Sequence, residues 1–264
     1  MYEDGETKEG ALCAKLDVLL SLLGGGMQMI RRAYWINNPL LANQFEIFLD
    51  CHKARRQLNP TQFMSREWES SPIDVELKKQ FLSKLDKQFV AASKMFDTNG
   101  VIPVIQGTRE NAAHRIAKNG FGTVATLDDG FFGQGIYFTS KLNYARRYSK
   151  PAKDGSLVLV ISLAAPGNVL PISADPLLNK IKNPQGYLGK PRQQGYQSHY
   201  TIVHMPGEGG TYGYPLRTAP TDDSSDELVV FEPAQALPVF LIYLDSRKVG
   251  EEPSLSFVFL RRRV

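Results

Sequence analysis

The chain has 264 residues, 42% of them hydrophobic and 22% charged, which is typical of a globular protein and excludes a disordered one. The net charge is +4 and the basic residues are spread along the chain, so the composition gives no strong nucleic-acid signal. Cys13 and Cys51 are isolated, which predicts no zinc site and at most one disulfide. The longest early apolar stretch, residues 16–23, is far shorter than the roughly 20 residues that span a bilayer, so we expect no membrane segment.

Three amphipathic helices are predicted in the first 95 residues. Leucines at helical spacing predict the first, and a run of three glycines ends it. The second begins at Asn38, a typical N-cap residue, followed by Pro39. The third is predicted to have Ser71 as its N-cap, Pro72 at its start and Asp74 in its first turn. Its buried face is predicted to hold Phe81, Leu82, Leu85, Phe89 and Val90.

Short apolar runs separated by turn-forming residues follow Gly100 and predict β-strands. The predicted strands are residues 101–105, 157–163, 200–205, 228–231, 239–244 and 255–260. Two short helices are predicted between them. One follows Thr108 and ends near Gly120, and the other follows Ser140 with Tyr144 and Tyr148 on one face. We therefore predict one domain of several strands in residues 96–264, with a helical segment, residues 1–95, packed on it.

The first candidate functional segment is Gln106-Gly107-Thr108, at the end of a predicted buried strand. A glycine lets a ligand approach the backbone closely, and its N–H and C=O can pair with a flat carboxamide such as nicotinamide. The alternative is an ordinary strand-to-helix turn capped by Thr108, and the tripeptide alone does not decide between the two.

The second segment is the glycine- and aromatic-rich run 130–138, which leads towards the helix that carries Tyr148. Tyr137 and Tyr148 in this arrangement can sandwich an aromatic ring, at about 1 kcal/mol for each stacking contact. The alternative is that both tyrosines pack in the core.

The third segment is Glu227, which leads the apolar run 228–231. Cleavage of a glycosidic bond passes through an oxocarbenium-like state, and a nearby carboxylate stabilises that positive charge. The alternative is a solvated charge at a strand end, because Asp222, Asp223 and Asp226 stand beside it.

Together the three segments resemble the catalytic domain of the poly(ADP-ribose) polymerase family, which shares its fold with the diphtheria-type toxins. The corresponding segments are QGT (106–108), FGQGIYFTSKLNYARRYS (132–149) and ELVVFEPAQALPVFLIYL (227–244), and the likeness extends over about residues 33–245. The resemblance implies an α+β ADP-ribosyltransferase fold with an antiparallel split β-sheet core. It also implies NAD as co-substrate and a protein as acceptor.

The resemblance implies a role for each matching residue. Gly107 is expected to hold the nicotinamide amide through its backbone, and Thr108 to support ribose contacts. Tyr137 and Tyr148 are expected to bracket the nicotinamide ring. Glu227 is expected to bind the 2′-hydroxyl of the nicotinamide ribose, to stabilise the cationic ribose and to help orient the acceptor. Residues 170–187 and 212–226 are expected to form the loops that face the donor and the acceptor.

Three positions depart from the family pattern. Gln106 stands where the family has histidine, and a glutamine amide can also donate and accept hydrogen bonds. Ala145 stands where many polymerase-like members have serine, whereas the toxins have alanine, which favours a toxin or effector. Ser225 is neither Glu nor Gln, so we do not expect an arginine acceptor.

These features lead to a predicted monomeric mono-ADP-ribosyltransferase that acts on a protein, with a host protein such as ubiquitin as one candidate acceptor. It would be cytoplasmic, or translocated into a host cytosol if it is an effector. The alternatives are an inactive module that binds NAD or protein, which the loss of the histidine favours, and a polymerase that makes chains. No metal is expected in the site.

Overall fold

The computed structural model describes residues 4–70, 74–96, 100–122, 130–173, 186–204, 213, 215–245 and 256–261. The α-helices are α1 (Asp4–Leu22), α2 (Pro39–Leu58), α3 (Pro60–Phe63), α4 (Val75–Phe96), α5 (Glu110–Asn119) and α6 (Leu142–Ala145). The strands are β1 (Ile30–Asn37), β2 (Ile102–Thr108), β3 (Ile136–Phe138), β4 (Leu157–Ala164), β5 (Val169–Pro171), β6 (Ser198–Val203), β7 (Ser225–Val230), β8 (Ala236–Leu244) and β9 (Ser256–Arg261).

The strands form two sheets. The five-stranded sheet has the order β2-β4-β8-β1-β9 and the four-stranded sheet the order β3-β7-β6-β5. Neighbouring strands are antiparallel, apart from the parallel pairs β1–β9 and β5–β6. The predicted α+β class with a split, mainly antiparallel sheet is therefore confirmed.

Side chains alternate between the two faces of the five-stranded sheet, and helices pack on both faces. Leu159 and Ile161 of β4 pack with the leucines of α1, whereas Val158 and Val160 lie in the core cluster shared with α4 and α5. A buried strand of this kind is apolar at nearly every position, and the apolar run of β4 predicts a strand for this reason.

Strand β1 corrects the prediction that residues 1–95 form a purely helical segment. It lies between β8 and β9, so part of the N-terminal segment belongs to the main sheet. Arg31 and Arg32 interrupt the apolar pattern that would predict a strand here. The Arg32 guanidinium lies over the Tyr243 ring at 4.2 Å from the centroid and pairs with Asp154 at 3.0 Å, so tertiary contacts cover these charges. A division between residues 95 and 96 stays a prediction.

The helices also differ from the predictions in detail. Asn38 caps α2 as predicted, accepting a hydrogen bond from the Leu41 N–H. Helix α4 begins at Val75, and Asp74 precedes it with a φ of 64°, so Asp74 is not in the first turn. Val90 is 54% exposed, so its predicted burial is wrong. Ser71 and Pro72 lie outside the described residues.

Candidate active site

A cavity of about 160 Å³ opens where the edges of the two sheets meet. The Ile105 N–H of edge strand β2 donates to the Thr139 carbonyl at 2.8 Å, and the Thr139 N–H donates back at 3.1 Å. This contact joins the end of β3 to β2 and closes one side of the cavity. The cavity is lined by Ile105, Gln106, Gly107, Phe131, Phe132, Tyr137, Phe138, Thr139, Tyr144, Ala145, Tyr148, Gly213 and Glu227.

The structure brings together five of the six residues that the sequence singled out. Gln106, Gly107, Tyr137, Tyr148 and Glu227 all line this cavity, although they come from three distant segments of the chain. Thr108 is the last residue of β2 and does not line it. Most of the predicted loop 170–187 lies outside the described residues, namely 174–185, whereas the predicted loop 212–226 is described apart from 212 and 214.

Glu227 is the third residue of β7 and only 8% exposed, so the alternative of a solvated charge at a strand end is wrong. Strand β7 begins at Ser225, earlier than predicted, because Ser225 and Asp226 already pair with β6. Asp226 is 1% exposed, whereas the side chain of Asp222 is 98% exposed. The acidic run thus contains two buried carboxylates with separate surroundings.

Two tyrosine hydroxyls contact the Glu227 carboxylate. The Tyr144 O–H donates to Glu227 Oε1, and the Tyr148 hydroxyl lies 3.3 Å from the same oxygen. The two hydroxyls are 2.8 Å apart, and the rings meet edge to face at 5.3 Å. Burial, reinforced by the Glu227 charge, raises the pKa of both Tyr144 and Tyr148 well above the ordinary range. Both phenols therefore stay protonated at neutral pH and remain hydrogen-bond donors.

Asp226 points away from the cavity and accepts five hydrogen bonds. Oδ1 accepts from Thr139 Oγ1 at 2.9 Å and from the Ser140 N–H at 2.7 Å. Oδ2 accepts from Ser140 Oγ at 2.6 Å, from Gln88 Nε2 at 2.9 Å and from the Tyr200 O–H at 3.0 Å. This one side chain therefore connects β7 to β6, to the turn after β3 and to α4. No sequence pattern predicts this role, because Asp226 stands in a run of acidic residues that is typical of an exposed strand end.

Helix α4 also holds the segment that leads into β7. Lys84 Nζ donates to the carbonyls of Thr221, Asp222 and Ser224 at 2.7, 3.1 and 2.8 Å. Burial lowers the pKa of Lys84, although the neighbouring aspartates counteract the effect. A helix of the N-terminal segment is thus attached to the approach to Glu227.

Tyr137 fixes the turn that forms one wall of the cavity. Its hydroxyl accepts from the Phe132 N–H at 2.7 Å and donates to the Gly133 carbonyl at 2.9 Å. Because both contacts are to backbone, the tyrosine ring and the Phe132 ring are held in place as cavity walls. The sequence predicted the ring at this site but not the anchoring of its hydroxyl.

The fully buried His199 supports the same turn from behind. The Gln193 N–H donates to His199 Nε2 at 3.2 Å, so the ring proton is on Nδ1 and is donated to the Phe132 carbonyl at 2.7 Å. Burial lowers the pKa of His199 to about 4, so the ring is neutral at physiological pH. The neutral imidazole therefore links the backbone of Gln193 to that of Phe132, accepting one hydrogen bond and donating the other.

Gly107 is required for a reason that the sequence did not suggest. A β-carbon here would lie 2.0 Å from the Ala145 carbonyl oxygen and 2.7 Å from the Ser149 nitrogen, so the glycine lets the helical segment 142–148 pack against β2. The backbone groups of Ile105 point towards β3, and alternation along a strand directs those of Gly107 the same way, past the end of β3 into the cavity. The Gly107 N–H and C=O therefore present one donor and one acceptor to the cavity.

The described part of the chain holds no group of three or more His, Cys, Asp or Glu side chains that could bind a metal ion. None of the helices within these ranges combines the length and apolarity needed to cross a membrane. Both cysteines are free thiols.

Comparisons with known proteins found a matching family model and a similar solved structure. The sequence model of the family described as "Poly(ADP-ribose) polymerase catalytic domain" matches residues 83–246, more than half of the chain. Among solved structures, the PARP domain of Arabidopsis RADICAL-INDUCED CELL DEATH1 is similar at 15% identity and a TM-score of 0.37, covering 64% of this chain and 83% of that one. No curated protein sequence matches the chain. Because the family match covers β2, β3 and β7 with the residues of the cavity, the chain belongs to the poly(ADP-ribose) polymerase catalytic-domain family and carries an ADP-ribosyltransferase domain of this type.

Proposed function

We propose that this protein is a mono-ADP-ribosyltransferase, which splits NAD at the nicotinamide–ribose bond and transfers the ADP-ribose to a protein acceptor. The observation that carries the proposal is the position of Glu227. A buried carboxylate lies at the wall of a small aromatic cavity, in the same cavity as the backbone of Gly107. A carboxylate is costly to bury and is found at such a position when it interacts with a positive charge or with donors.

The cavity fits one end of NAD. Its volume of about 160 Å³ is well below the roughly 300–1,000 Å³ of sites that enclose a whole drug-sized ligand. It suits a single flat ring, with the rest of the dinucleotide extending past Gln106. The Gly107 N–H and C=O match the carbonyl and amide of nicotinamide, and the Tyr137 and Tyr148 rings offer aromatic walls.

The chemistry that these residues support is glycosyl transfer. The bond between C1′ of the ribose and the nicotinamide nitrogen breaks, and its electron pair leaves with neutral nicotinamide. Positive charge develops on the ribose, where the Glu227 carboxylate stabilises it. The acceptor nucleophile then forms the new bond to C1′ and loses its proton. Stabilisation by a group fixed before the reaction is effective because nothing has to reorganise during the step.

A second candidate function is an inactive module that binds NAD or a protein, and Gln106 favours it. Its side chain makes no hydrogen bond to any residue in the described ranges, so no residue in those ranges orients its amide for a ligand. Mono-transfer is favoured over chain elongation because the first motif is altered at this residue. Ala145 favours a toxin or effector acting on a host protein, and Ser225 argues against an arginine acceptor.

The test is Glu227→Gln, which keeps the shape of the side chain and removes the charge. Purified protein is incubated with a cell lysate and NAD labelled in the adenylate, and both nicotinamide release and label transfer are measured. We expect the transfer rate to fall about 100-fold or more, with the fold and NAD binding retained.

Glu46→Gln is the matched control, because Glu46 is an exposed residue of α2 and should leave the rate unchanged. A Glu227→Gln protein with wild-type turnover would exclude Glu227 from the mechanism. A wild type that binds NAD but releases no nicotinamide would support the binding module instead. Mass spectrometry of the labelled band identifies the acceptor residue.

A further inference from the structure

Tyr144 is enclosed at the back of the cavity and has no role in the sequence motifs. It is fully buried in α6, and its O–H donates to Glu227 Oε1. The backbone of Gly213 lies directly over it, since a β-carbon on Gly213 would come within 2.6 Å of the Tyr144 hydroxyl. The hydroxyl is thus held between Glu227, Tyr148 and the segment that precedes β7.

The direction of the hydrogen bond to Glu227 is fixed by chemistry. An ionised carboxylate can only accept, and burial raises the pKa of Tyr144 so far that its phenol keeps its proton. Tyr148, 2.8 Å from Tyr144 and 3.3 Å from Glu227 Oε1, offers a second, more distant donor. A donor that faces a carboxylate stabilises its ionised form and restricts its rotation.

We propose that Tyr144 is a positioning residue for the transfer reaction, which keeps the Glu227 carboxylate ionised and directed into the cavity. The inference rests on the proposed function, since it gives Glu227 its role in stabilising the cationic ribose. Tyr144 acts through Glu227 rather than on the substrate. Tyr148 also contacts Glu227, but at a longer distance, and its ring forms part of the cavity wall. Tyr144 is therefore the main positioning residue, and Tyr148 has a second role in binding the ring of the substrate.

The network has a direct consequence for the pH dependence of the enzyme. Without the Tyr144 hydroxyl, the buried carboxylate loses one of its donors, and its protonated form becomes more favourable. The pH below which activity is lost should then rise. A tyrosine that only fills space would not change this limit, because its hydroxyl would not be needed.

The experiment compares wild type with Tyr144→Phe, which removes one oxygen. We expect kcat to fall about 10-fold to 100-fold, the range for losing a hydrogen bond to a charged group. KM for NAD should change less than about 2-fold, since the ring contacts remain. The acidic limb of the pH–kcat profile should move to higher pH by about one unit, and raising the pH should restore part of the lost activity.

Tyr243→Phe is the matched control. Tyr243 is also buried and donates to a glutamate, Glu110, at 2.9 Å, but neither residue lines the cavity. It should keep the wild-type kcat and the wild-type acidic limb. Tyr148→Phe should shift the limb in the same direction as Tyr144→Phe but by less, and it tests the network even if Tyr144→Phe fails to fold.

A readout without turnover separates this inference from the proposed function. Carbon-13 NMR of labelled glutamate follows the pH midpoint at which the Glu227 carboxyl titrates, and this midpoint should rise in Tyr144→Phe. A wild type that releases no nicotinamide would overturn the proposed function, whereas the NMR midpoint would still decide whether Tyr144 acts on Glu227. Unchanged kcat, or a lower kcat with an unmoved acidic limb and an unmoved NMR midpoint, would overturn the inference.

Discussion

Replacing Asp226 with asparagine changes only one group of the side chain, but we expect it to destabilise the fold substantially. The Oδ1 position must keep an oxygen, because it accepts from the backbone N–H of Ser140 at 2.7 Å and a backbone donor cannot turn away. The new NH₂ group therefore takes the place of Oδ2, where Gln88 Nε2, the Tyr200 O–H and Ser140 Oγ all donate. Donors then face donors at this buried position.

The cost follows from the number of groups left without an acceptor. The Ser140 hydroxyl can rotate to accept, and one N–H of the Gln88 amide still donates to Ser140 Oγ at 2.9 Å. The other Gln88 N–H and the Tyr200 O–H lose their acceptor. An unsatisfied buried donor costs about 1–3 kcal/mol, so we expect a loss of about 3 kcal/mol in the free energy of unfolding. At about 2–4 °C for each kcal/mol in a domain of this size, Tm should fall by about 6–12 °C.

The assay is urea unfolding followed by circular dichroism, together with a thermal melt. Asp222→Asn is the matched control, because the same substitution four residues away affects a side chain that is 98% exposed and should change the stability very little. Equal stability of Asp226→Asn and wild type would refute the reasoning, and so would an equal loss in both variants. The Asp226 variant should also lose activity, since the adjacent Glu227 depends on the position of β7.

Three further expectations follow from the site. Tyr137→Ala and Tyr148→Ala should each weaken the binding of NAD and of a benzamide-type inhibitor by about 1–2 kcal/mol in calorimetry, and normal binding by both would mean that the rings only pack. Gln106→Ala should reduce NAD consumption by the equivalent of about 1–3 kcal/mol while Gln106→His keeps or raises it, and equal rates in all three proteins would mean that residue 106 does not touch NAD. The pKa of about 4 for folded His199 lies below its usual 6.5, so between these values only the unfolded chain takes up the proton, and stability should fall by up to about 3 kcal/mol as the pH drops through this window. His199→Gln should flatten that part of the stability–pH curve measured by urea unfolding, and an unchanged slope would show that His199 does not cause it.

The motifs located the candidate site well because their residue types are unusual in combination. Gln106, Gly107, Tyr137, Tyr148 and Glu227 were identified from short segments, and the fold brings them into one cavity. Strong apolar runs such as β4 and β8 were also recognised, since burial on both faces leaves a clear signal in sequence.

The rest depends on contacts between distant residues, which leave no local pattern. Asp226 is buried only because five donors converge on it from three separate parts of the fold, namely α4, the turn after β3 and β6. Strand β1 carries charges that Asp154 and Tyr243 cover from elsewhere in the chain. Asp74 adopts a left-handed backbone conformation, and α4 begins after it at Val75, three residues later than the predicted start at Pro72. No property of these residues taken alone distinguishes them from exposed ones.

The insertion of β1 between β8 and β9 sets a condition on any shortened form of this protein. Residues 83–246, the part that the family match covers, contain β8 but neither of the two strands that continue the sheet beyond it. A fragment with these limits would expose the hydrogen-bonding edge of a long apolar strand and the sheet face that α1 covers. Such a fragment should associate through that edge, so expression trials and isolated-domain assays need to begin upstream of Ile30. The same arrangement makes the sheet dependent on pairing between the two ends of the chain, which is the kind of long-range contact that slows folding.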